Sequence, residues 1–434
     1  MFLFRYLRMG VMILLTMIIG GNASFMDAAL RPAPLDGSER MADAEKSAYR
    51  AQVLAESYYD QFYSPLTERL SYYPYDTKNT GSCWDYIGLI SLTYKLSLMD
   101  RKYLCKMDSI LEGLRYYRKV DANGKFLGYV VPRAECKDKT DSDGIAYDDN
   151  MWLARDFVSF YELTGDEKYL KLAAEIGDLL IDIAYDDLPA SIFAAKGWEV
   201  KSEPVGGFYW DYRIDAIHTC STGPAAQFFA ALYRVTNKET YLTHAKAAYN
   251  LLSYLENKEY GGFWDLMRFD KDENNNITGI LRVEGPSYTY NSGSPMTAAA
   301  ELHRVTGEAR YLEDGKAWAA AADKLFAKDS SVDGIKNYLP ATRLWFNLIL
   351  LNGFTALQPY APEMNAYIES MSASIHYAYE NYRTAGLFGI HENALPQNWV
   401  DGFDSKEGYY PFALDFSASA EIFAALHYYY AKLK

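Results

Sequence analysis

The chain has 434 residues; half are hydrophobic and 23% are charged, a composition typical of a folded protein rather than a disordered one. Its 57 acidic residues outnumber its 43 basic ones, which argues against a protein that binds the phosphates of nucleic acids. Aromatic residues make up 16% of the chain, most of them Tyr. Such a content indicates either stacking on a ring-shaped ligand or dense packing between helices.

The first 23 residues predict a secretory signal peptide. Two arginines within residues 5–8 precede an uncharged apolar run over residues 9–19, and Gly-Asn-Ala at 21–23 provides the small residues of a cleavage site. We expect cleavage after Ala23, a secreted or periplasmic location and no stable insertion in a membrane. An uncleaved anchor is the alternative, although the apolar run is short for a bilayer, which needs about 20 residues.

Four cysteines in an exported protein raise the question of disulfides. Cys83, Cys105, Cys136 and Cys220 permit three pairings, and buried free thiols are the alternative. No two of them have the C-x-x-C spacing, and the six His residues lack the spacing of metal ligands. The sequence therefore predicts no metal site and no cofactor.

Three segments of the chain share one pattern. Residues 160–165 (FYELTG), 232–237 (LYRVTN) and 302–307 (LHRVTG) are 72 and then 70 residues apart, and a Tyr-Leu pair follows each. The pattern predicts that one helix ends at the Thr-Gly and a second begins at the Tyr-Leu, so the repeated unit is a helical hairpin. The tyrosines at this spacing are predicted to pack between helices: Tyr161, Tyr169, Tyr233, Tyr241 and Tyr311.

Helical periodicity predicts twelve helices, which pair into six hairpins. We expect them near residues 43–63, 82–98, 101–118, 150–164, 167–184, 222–236, 238–257, 294–306, 310–327, 341–357, 361–382 and 416–433. Long loops precede most of the helices that open a hairpin, and those at 120–149, 202–221 and 258–293 could contain short strands, with a turn at 274–276.

These elements predict an all-α fold, an (α/α)6 barrel of six helical hairpins with long loops on one face. An open helical solenoid is the alternative. The long loops favour a barrel with a binding cleft on that face. We expect a linker over residues 24–42 and a single catalytic domain over residues 43–434.

The sharpest candidate for chemistry is the pair Asp148-Asp149, where a long loop enters the helix predicted to start at Asn150. Adjacent carboxyl groups repel each other and sense the positive end of a helix, so their pKa values can be driven apart. One ionised and one protonated carboxyl group is what glycoside hydrolysis needs. The alternative is that one of them only caps the helix.

The same five residues, Ile-Ala-Tyr-Asp-Asp, recur at 183–187. This copy follows an outer helix and has no Trp after it. We interpret Asp186-Asp187 as a turn, so an Asp-Asp pair alone is weak evidence for a catalytic site.

Other loop residues combine aromatic rings with hydrogen-bonding groups. Two glycines, aromatics and an Asp occur at 206–211 and again at 261–265, and Tyr-Thr-Tyr-Asn at 288–291 precedes an inner helix. Aromatic faces stack on sugar rings, and Asp and Asn bind hydroxyls, although packing of strands and turns would explain the same residues. The predicted substrate-binding residues are Trp84, Trp152, Trp210, Asp211, His218, Thr222, Trp264, Asp265, Tyr290, Asn291 and Trp399.

The segment 146–152, together with 288–291, resembles glycoside hydrolase family 76, the endo-α-1,6-mannanases. The likeness covers most of residues 45–430, with both motifs in the order and spacing of the family. The resemblance implies an (α/α)6 barrel with no metal and retention of configuration through a covalent mannosyl-enzyme intermediate. It also implies that Asp148 is the nucleophile and Asp149 the general acid/base. The chain departs from the family near His218, where a Lys-Asn pair is usual.

We therefore predict a secreted, monomeric glycosidase that acts on the polysaccharide α-1,6-mannan. A transglycosylase, in which a sugar hydroxyl replaces water in the second step, is one alternative. An unsaturated-uronide hydrolase or a sugar epimerase on the same barrel is another, and a uronate would call for a basic pocket. A glycan-binding protein without activity is the third, and the presence of both Asp148 and Asp149 argues against it.

Overall fold

The computed structural model describes residues 29–134, 144–212, 216–339, 343–403 and 411–433. The predicted signal peptide, the first part of the predicted linker and Cys136 lie outside these residues. Cys83, Cys105 and Cys220 are free thiols. Within the described ranges, no helix has the length and apolar character needed to cross a bilayer.

The described part of the predicted linker lies against the domain. The backbone N–H of Ala33 donates to the carbonyl oxygen of Arg383 at 2.5 Å. The guanidinium of Arg383 in turn donates to the carbonyl of Pro34 at 2.8 Å and lies 3.3 Å from Asp36. These contacts fix residues 33–36 at the end of a late outer helix.

Thirteen α-helices occur in the described residues, and all twelve predicted helical regions are among them. They are α1 (Asp43–Phe62), α2 (Cys83–Met99), α3 (Met107–Leu114), α4 (Tyr147–Thr164), α5 (Glu167–Ile183), α6 (Ala190–Ala195), α7 (Thr219–Thr236), α8 (Glu239–Leu255), α9 (Thr289–Thr306), α10 (Ala309–Phe326), α11 (Leu344–Leu357), α12 (Met364–Tyr382) and α13 (Ala413–Lys432).

Two differences from the predicted helices concern short elements. The region predicted as one helix near 101–118 is a 3-10 helix, Arg101–Lys106, followed by α3. Helix α3 ends at Leu114 because the chain from Arg118 pairs as a strand with residues 126–129. The six-residue helix α6 was not predicted.

Six helices form a closed inner ring: α2, α4, α7, α9, α11 and α13. Each packs against the next, and α13 packs against α2, which closes the ring. The helices that follow along the chain return on the outside, and α1 covers α13. The predicted (α/α)6 barrel is therefore confirmed, and the open solenoid is wrong because the last inner helix meets the first.

The three threonines of the sequence repeat end their helices in the same way. Each hydroxyl donates to the carbonyl four residues earlier and accepts the backbone N–H two residues later. The next residue adopts the left-handed conformation, with φ of 72°, 59° and 72° at Gly165, Asn237 and Gly307. Gly and Asn tolerate this conformation best, which explains why the repeat ends in Thr-Gly or Thr-Asn.

Short antiparallel strands occupy the loops. They are β1 (Tyr63–Ser64), β2 (Arg69–Leu70), β3 (Arg118–Val120), β4 (Phe126–Tyr129), β5 (Tyr185–Asp187), β6 (Gly206–Phe208), β7 (Ala216–His218), β8 (Leu266–Lys271), β9 (Ile277–Glu284), β10 (Lys328–Asp329) and β11 (Lys336–Asn337). Only β7, β8 and β9 form a three-stranded sheet among the described residues. The turn predicted between β8 and β9 is confirmed, with Asn275 at φ 70°.

The interpretation of Asp186-Asp187 as a turn is wrong. Both residues lie in β5, where Asp186 pairs with Gly207 and Asp187 with Gly206. The two glycines permit this pairing, since a Cβ on Gly206 would lie 2.1 Å from the Tyr185 hydroxyl oxygen and one on Gly207 would lie 2.5 Å from a methyl of Leu251.

Candidate active site

The first turns of the six inner helices meet at one end of the barrel, since these helices run in the same direction around the ring. The second and third residues of each helix are Trp84-Asp85, Asp148-Asp149, Cys220-Ser221, Tyr290-Asn291, Trp345-Phe346 and Leu414-Asp415. Ring contacts confirm the convergence: Trp345 lies 5.6 Å from Trp84 and 6.5 Å from Tyr290 between ring centroids.

Backbone hydrogen bonds tie the starts of inner helices to the loops beside them. The first N–H of the helix donates to a carbonyl in the loop that precedes the next inner helix around the ring. The bonds run from Cys83 to Val131 (2.9 Å), Tyr147 to Trp210 (2.7 Å), Thr219 to Asp265 (2.8 Å) and Ala413 to Tyr72 (3.1 Å). These bonds satisfy N–H groups that a helix start leaves without a partner.

Asp148 and Asp149 lie inside the first turn of α4 and do not cap it. The helix begins at Tyr147, and its N-terminal flanking residue, Ala146, makes no side-chain capping bond. Asp148 is partly exposed, whereas only 7% of Asp149 is exposed. The Asp148 carboxylate accepts the backbone N–H of Asp149 at 2.9 Å, and the neighbouring Trp210 indole and Cys220 thiol also favour its ionised form and lower its pKa.

The two carboxyl groups differ in proton affinity. Burial raises the pKa of Asp148, and the hydrogen bonds it accepts offset part of that rise. Burial also raises the pKa of Asp149, and there the negative charges of Asp148 and Asp85 add to the effect. Hydrogen bonds favour the ionised form and neighbouring negative charges oppose it. As the pH rises, the pair therefore loses its first proton mainly from Asp148, and Asp149 stays protonated to a higher pH.

Several polar side chains lie beside the Asp148-Asp149 pair. The Asn291 side-chain amide donates to Oδ1 of Asp265 at 2.9 Å, and Nδ1 of His218 lies 3.8 Å from Oδ2 of the same carboxylate. The rings of His218 and Trp210 are 5.6 Å apart between centroids, and 39% of Trp210 is exposed. Three of these predicted residues provide an aromatic face with a carboxylate and an imidazole next to it, and the fourth, Asn291, is buried and orients the carboxylate.

Four further predicted residues are partly exposed at the same end. Trp84 and Tyr290 lie in first turns of the inner helices, Tyr290 with its ring 4.2 Å from that of Phe346. Trp264 accepts the Thr219 hydroxyl on its carbonyl oxygen at 2.6 Å. Asp211 forms a bridge with Ala146, directly before the helix of the carboxyl pair.

Four predicted substrate-binding residues are buried instead: Asn291, which is 0% exposed, and three others. Trp152 is 2% exposed and packs edge-on against Trp345 at 4.9 Å. The hydroxyl of Thr222 is buried and accepts the backbone N–H of Phe208 at 3.3 Å. Trp399 is fully buried. Their side chains present no open face to a substrate, because the loops and helices that fold over this end of the barrel cover them.

Sequence reasoning missed Cys220, Trp345 and Asp415. Their signal was positional, since each is the second or third residue of an inner helix, as the predicted Asp148, Asp149 and Tyr290 are. Asp415 accepts the backbone N–H of Leu344 at 2.7 Å and the Gln397 amide at 3.1 Å. Its carboxylate therefore holds the start of the neighbouring inner helix, which carries Trp345.

A closed (α/α)6 barrel with two adjacent carboxyl groups of unequal proton affinity beside an exposed aromatic ring defines a glycosidase of the α/α-barrel class. The chain belongs to glycosyl hydrolase family 76, whose model matches residues 132–431. A comparison with curated proteins gives no match.

Solved structures show the same fold. A family 76 mannosidase from Bacteroides thetaiotaomicron superposes with a TM-score of 0.70 at 22% identity, over 89% of this chain and 100% of that one. An α-1,6-mannanase from Salegentibacter sp. HEL1_6 gives 0.66 at 22% identity, over 89% and 100%. An unsaturated glucuronyl hydrolase specific for heparin gives 0.58 at 11% identity, over 90% and 98%.

Proposed function

We propose that the protein hydrolyses α-1,6-mannosidic linkages in mannan with retention of configuration, through a covalent mannosyl-enzyme intermediate. Asp148 is the nucleophile in this proposal and Asp149 the general acid/base. The observation that carries the assignment is the order of proton affinities, with the hydrogen-bonded Asp148 ionising before the buried Asp149. A nucleophile has to be ionised and a general acid protonated at the same pH.

The reaction follows from these two protonation states. The Asp148 carboxylate attacks the anomeric carbon while Asp149 gives its proton to the glycosidic oxygen, so one carbon–oxygen bond forms as the other breaks. Asp149 is now ionised and takes a proton from a water molecule, whose oxygen attacks the same carbon. This second step releases Asp148 and the sugar and restores the proton on Asp149.

The substrate class is proposed from the site and the related structures. Trp210 offers an aromatic face for a sugar ring, and the partly exposed Asp265 and His218 offer hydrogen bonds to its hydroxyls, while the buried Asn291 amide orients the Asp265 carboxylate. An inactive variant of the Salegentibacter enzyme with two consecutive aspartates changed to asparagine has been solved in complex with α-1,6-mannotriose. This chain has two consecutive aspartates in the first turn of an inner helix of the same barrel.

The test is hydrolysis of debranched α-1,6-mannan by the purified mature protein, with products followed by chromatography and proton NMR. We expect Asp148→Asn and Asp149→Asn each to abolish release of oligosaccharides. Asp186→Asn is the matched control and should retain activity, because Asp186 belongs to the second Asp-Asp pair, in strand β5.

Each other outcome of this test would indicate a different catalytic pair, mechanism or activity. Activity that survives both substitutions at Asp148-Asp149 would exclude the proposed catalytic pair. An inverted anomer as first product would exclude the covalent intermediate. Products longer than the substrate would indicate a transglycosylase, and binding without turnover would indicate a glycan-binding protein.

We also propose that the protein is exported and acts as a monomer outside the cytoplasm. The support is the sequence of residues 1–23, with its basic start, apolar run and small residues before Ser24. N-terminal sequencing of the protein from the culture medium or periplasm should find Ser24 first. An intact Met1 on the exported protein would exclude cleavage.

A further inference from the structure

A cavity lies toward the other end of the barrel from the candidate active site, among the C-terminal halves of the inner helices. Its volume is about 310 Å³, at the lower end of the range for small-molecule sites. Every inner helix contributes to its lining: Lys95 from α2, Asp156 from α4, Gln227 from α7, Thr297 from α9, Asn352 from α11 and Tyr428 from α13.

Trp152 separates this cavity from the candidate active site. Its indole packs edge-on against Trp345, which lies in the first turn of α11 with the active-site residues. On the cavity side, the Arg155 guanidinium lies 4.4 Å from the centroid of the same indole, and Arg155 lines the cavity. The buried Trp152 therefore lies between the candidate active site and the cavity.

Two cations and two carboxylates around the cavity balance one another. Arg155 donates from Nε and Nη2 to a single oxygen of Asp156, Oδ1, at 3.0 and 2.7 Å. Glu421, which is 1% exposed, accepts the Ser91 hydroxyl on Oε1 at 2.8 Å. Lys95 interacts electrostatically with both carboxylates. Lys95 and Arg155 thus match the two carboxylates, and the third lining cation, Lys432, is exposed at the end of α13.

Near the cavity, three of the buried side-chain oxygens have no hydrogen-bond partner among the described residues. They are Oδ2 of Asp156, Oε2 of Glu421 and Oδ1 of Asn352. Asp156 is 2% exposed, and both it and Asn352 line the cavity. Buried acceptors in folded proteins almost always receive a hydrogen bond. Asp156 and Asn352 line the cavity and each has a free acceptor oxygen, so an occupant has to donate hydrogen bonds to them.

We propose that this cavity is a binding site for a neutral, polyhydroxylated molecule of monosaccharide size. Hydroxyl groups donate to the free acceptors of Asp156 and Asn352 and accept from Lys95, while the rings of Tyr94 and Tyr428 at the cavity wall offer apolar surface. A cation would meet Lys95 and Arg155, and an anion would meet Asp156 and Glu421. A neutral polyol or sugar avoids both repulsions.

The test is calorimetric titration of D-mannose into the Asp148→Asn/Asp149→Asn protein presaturated with α-1,6-mannotriose, which keeps the first site filled. We expect one mannose to bind per chain. Asn352→Leu should weaken that binding at least tenfold, because it removes one acceptor. Because Oδ1 of Asn352 has no partner, an apolar residue in its place should leave the fold intact. An unchanged thermal midpoint would verify this.

Asn381→Leu is the matched control: it makes the same change at an exposed residue of an outer helix and should leave mannose binding unchanged. A crystal soaked in mannose should show the sugar against Asp156 and Asn352. Absence of binding after presaturation, a cavity filled by water alone, or binding of ammonium or phosphate in preference to mannose and glycerol would each overturn the proposal.

Discussion

The backbone N–H of Tyr147 donates to the carbonyl oxygen of Trp210 at 2.7 Å. This bond joins the first residue of α4 to the loop after β6, and the indole of the same tryptophan donates to the carboxylate of Asp148. Trp210 is therefore attached to α4 at two points. Its exposed indole therefore lies beside the nucleophile of the proposed reaction.

Replacing Trp210 with Phe tests the indole hydrogen bond. Phe keeps an aromatic face but removes the donor, and loss of that donor raises the pKa of Asp148 further. Since Asp148 has to be ionised to attack, the acidic limb of the pH–rate profile should move to higher pH. A hydrogen bond to a charged group contributes about 1.5–3 kcal/mol, so kcat should fall roughly ten- to hundredfold.

Replacing Trp210 and Trp399 with Ala separates a surface aromatic residue from a core one. Trp399 is fully buried, and removing a buried Trp side chain costs roughly 3–5 kcal/mol. Trp399→Ala should therefore lower the thermal midpoint strongly, whereas Trp210→Ala should raise KM for mannan with little change in the midpoint. Equal losses of stability in the two variants would contradict the placement of Trp210 at the surface.

Asp85→Asn tests the electrostatic control of Asp149. The Asp85 side chain accepts the Ser82 N–H and hydroxyl at 2.7 and 2.8 Å, and its charge raises the pKa of Asp149. Asn keeps an acceptor for Ser82 but has no charge, so the pKa of Asp149 should fall. Because Asp149 acts in its protonated form, the alkaline limb of the pH–rate profile should move to lower pH.

Asp186→Asn is the control for that measurement. It removes a carboxylate from strand β5, which carries the second Asp-Asp pair, and should leave the alkaline limb in place. A shift of the limb to higher pH in Asp85→Asn would contradict the proposed role of Asp149 as the acid.

The helical hairpins could be predicted from the sequence because their signals are local. The Thr hydroxyl bonds within its own turn, and the left-handed residue after it belongs to the same segment, as at Thr306 and Gly307. Tyr169, Tyr241 and Tyr311 recur at repeat spacing and are buried. Each of these features involves residues a few positions apart, so the sequence alone reveals them.

The starts of the inner helices could not be predicted as well. Four helices begin three to five residues before their predicted starts, at Tyr147, Thr219, Thr289 and Ala413. None of the four has a capping side chain. For three of them, the first N–H bonds to a carbonyl in another loop. Partners that lie more than 40 residues away in sequence leave no local pattern.

The candidate site also combines residues that local sequence identifies with residues whose role depends on contacts distant in sequence. The Asp148-Asp149 pair and the Asp265–Asn291 contact come from residues whose chemistry marks them in the sequence. Trp152 and Trp399 carry the same chemical signal as Trp210, but only the packing of the loops decides which indole remains exposed. Cys220 becomes relevant only through the hydrogen bond it gives Asp148.

Gly307→Ala tests the end of the repeated hairpin. Gly307 has a φ of 72°, and a Cβ there would meet open space, so the cost comes from the backbone conformation alone. A residue other than Gly in the left-handed region costs roughly 1–2 kcal/mol. We expect that loss in the free energy of unfolding. Asn237→Gly makes the reverse change at the equivalent position and should stabilise the protein; destabilisation there would contradict the argument.

Asp149→Asn should make the protein more stable at alkaline pH while it removes activity. The folded-state pKa of Asp149 lies well above its usual value, so the folded chain holds the carboxyl's proton more tightly than the unfolded chain does. That contribution is fully present below the unfolded pKa of about 3.9 and is lost as the pH rises through the folded pKa. Asn has no proton to lose and avoids this penalty.

The gain should therefore depend on pH. At pH 8 the variant should exceed the wild type in free energy of unfolding, and each unit of pKa shift corresponds to about 1.4 kcal/mol. Near pH 4 the difference should shrink toward zero, because the carboxyl is then mostly protonated in the folded state. Urea denaturation of the variant and the wild type at pH 8 and at pH 4 measures the difference in free energy of unfolding at each pH. A variant less stable than the wild type at pH 8 would mean that ionised Asp149 supports the fold, and its burial could not then explain its raised pKa.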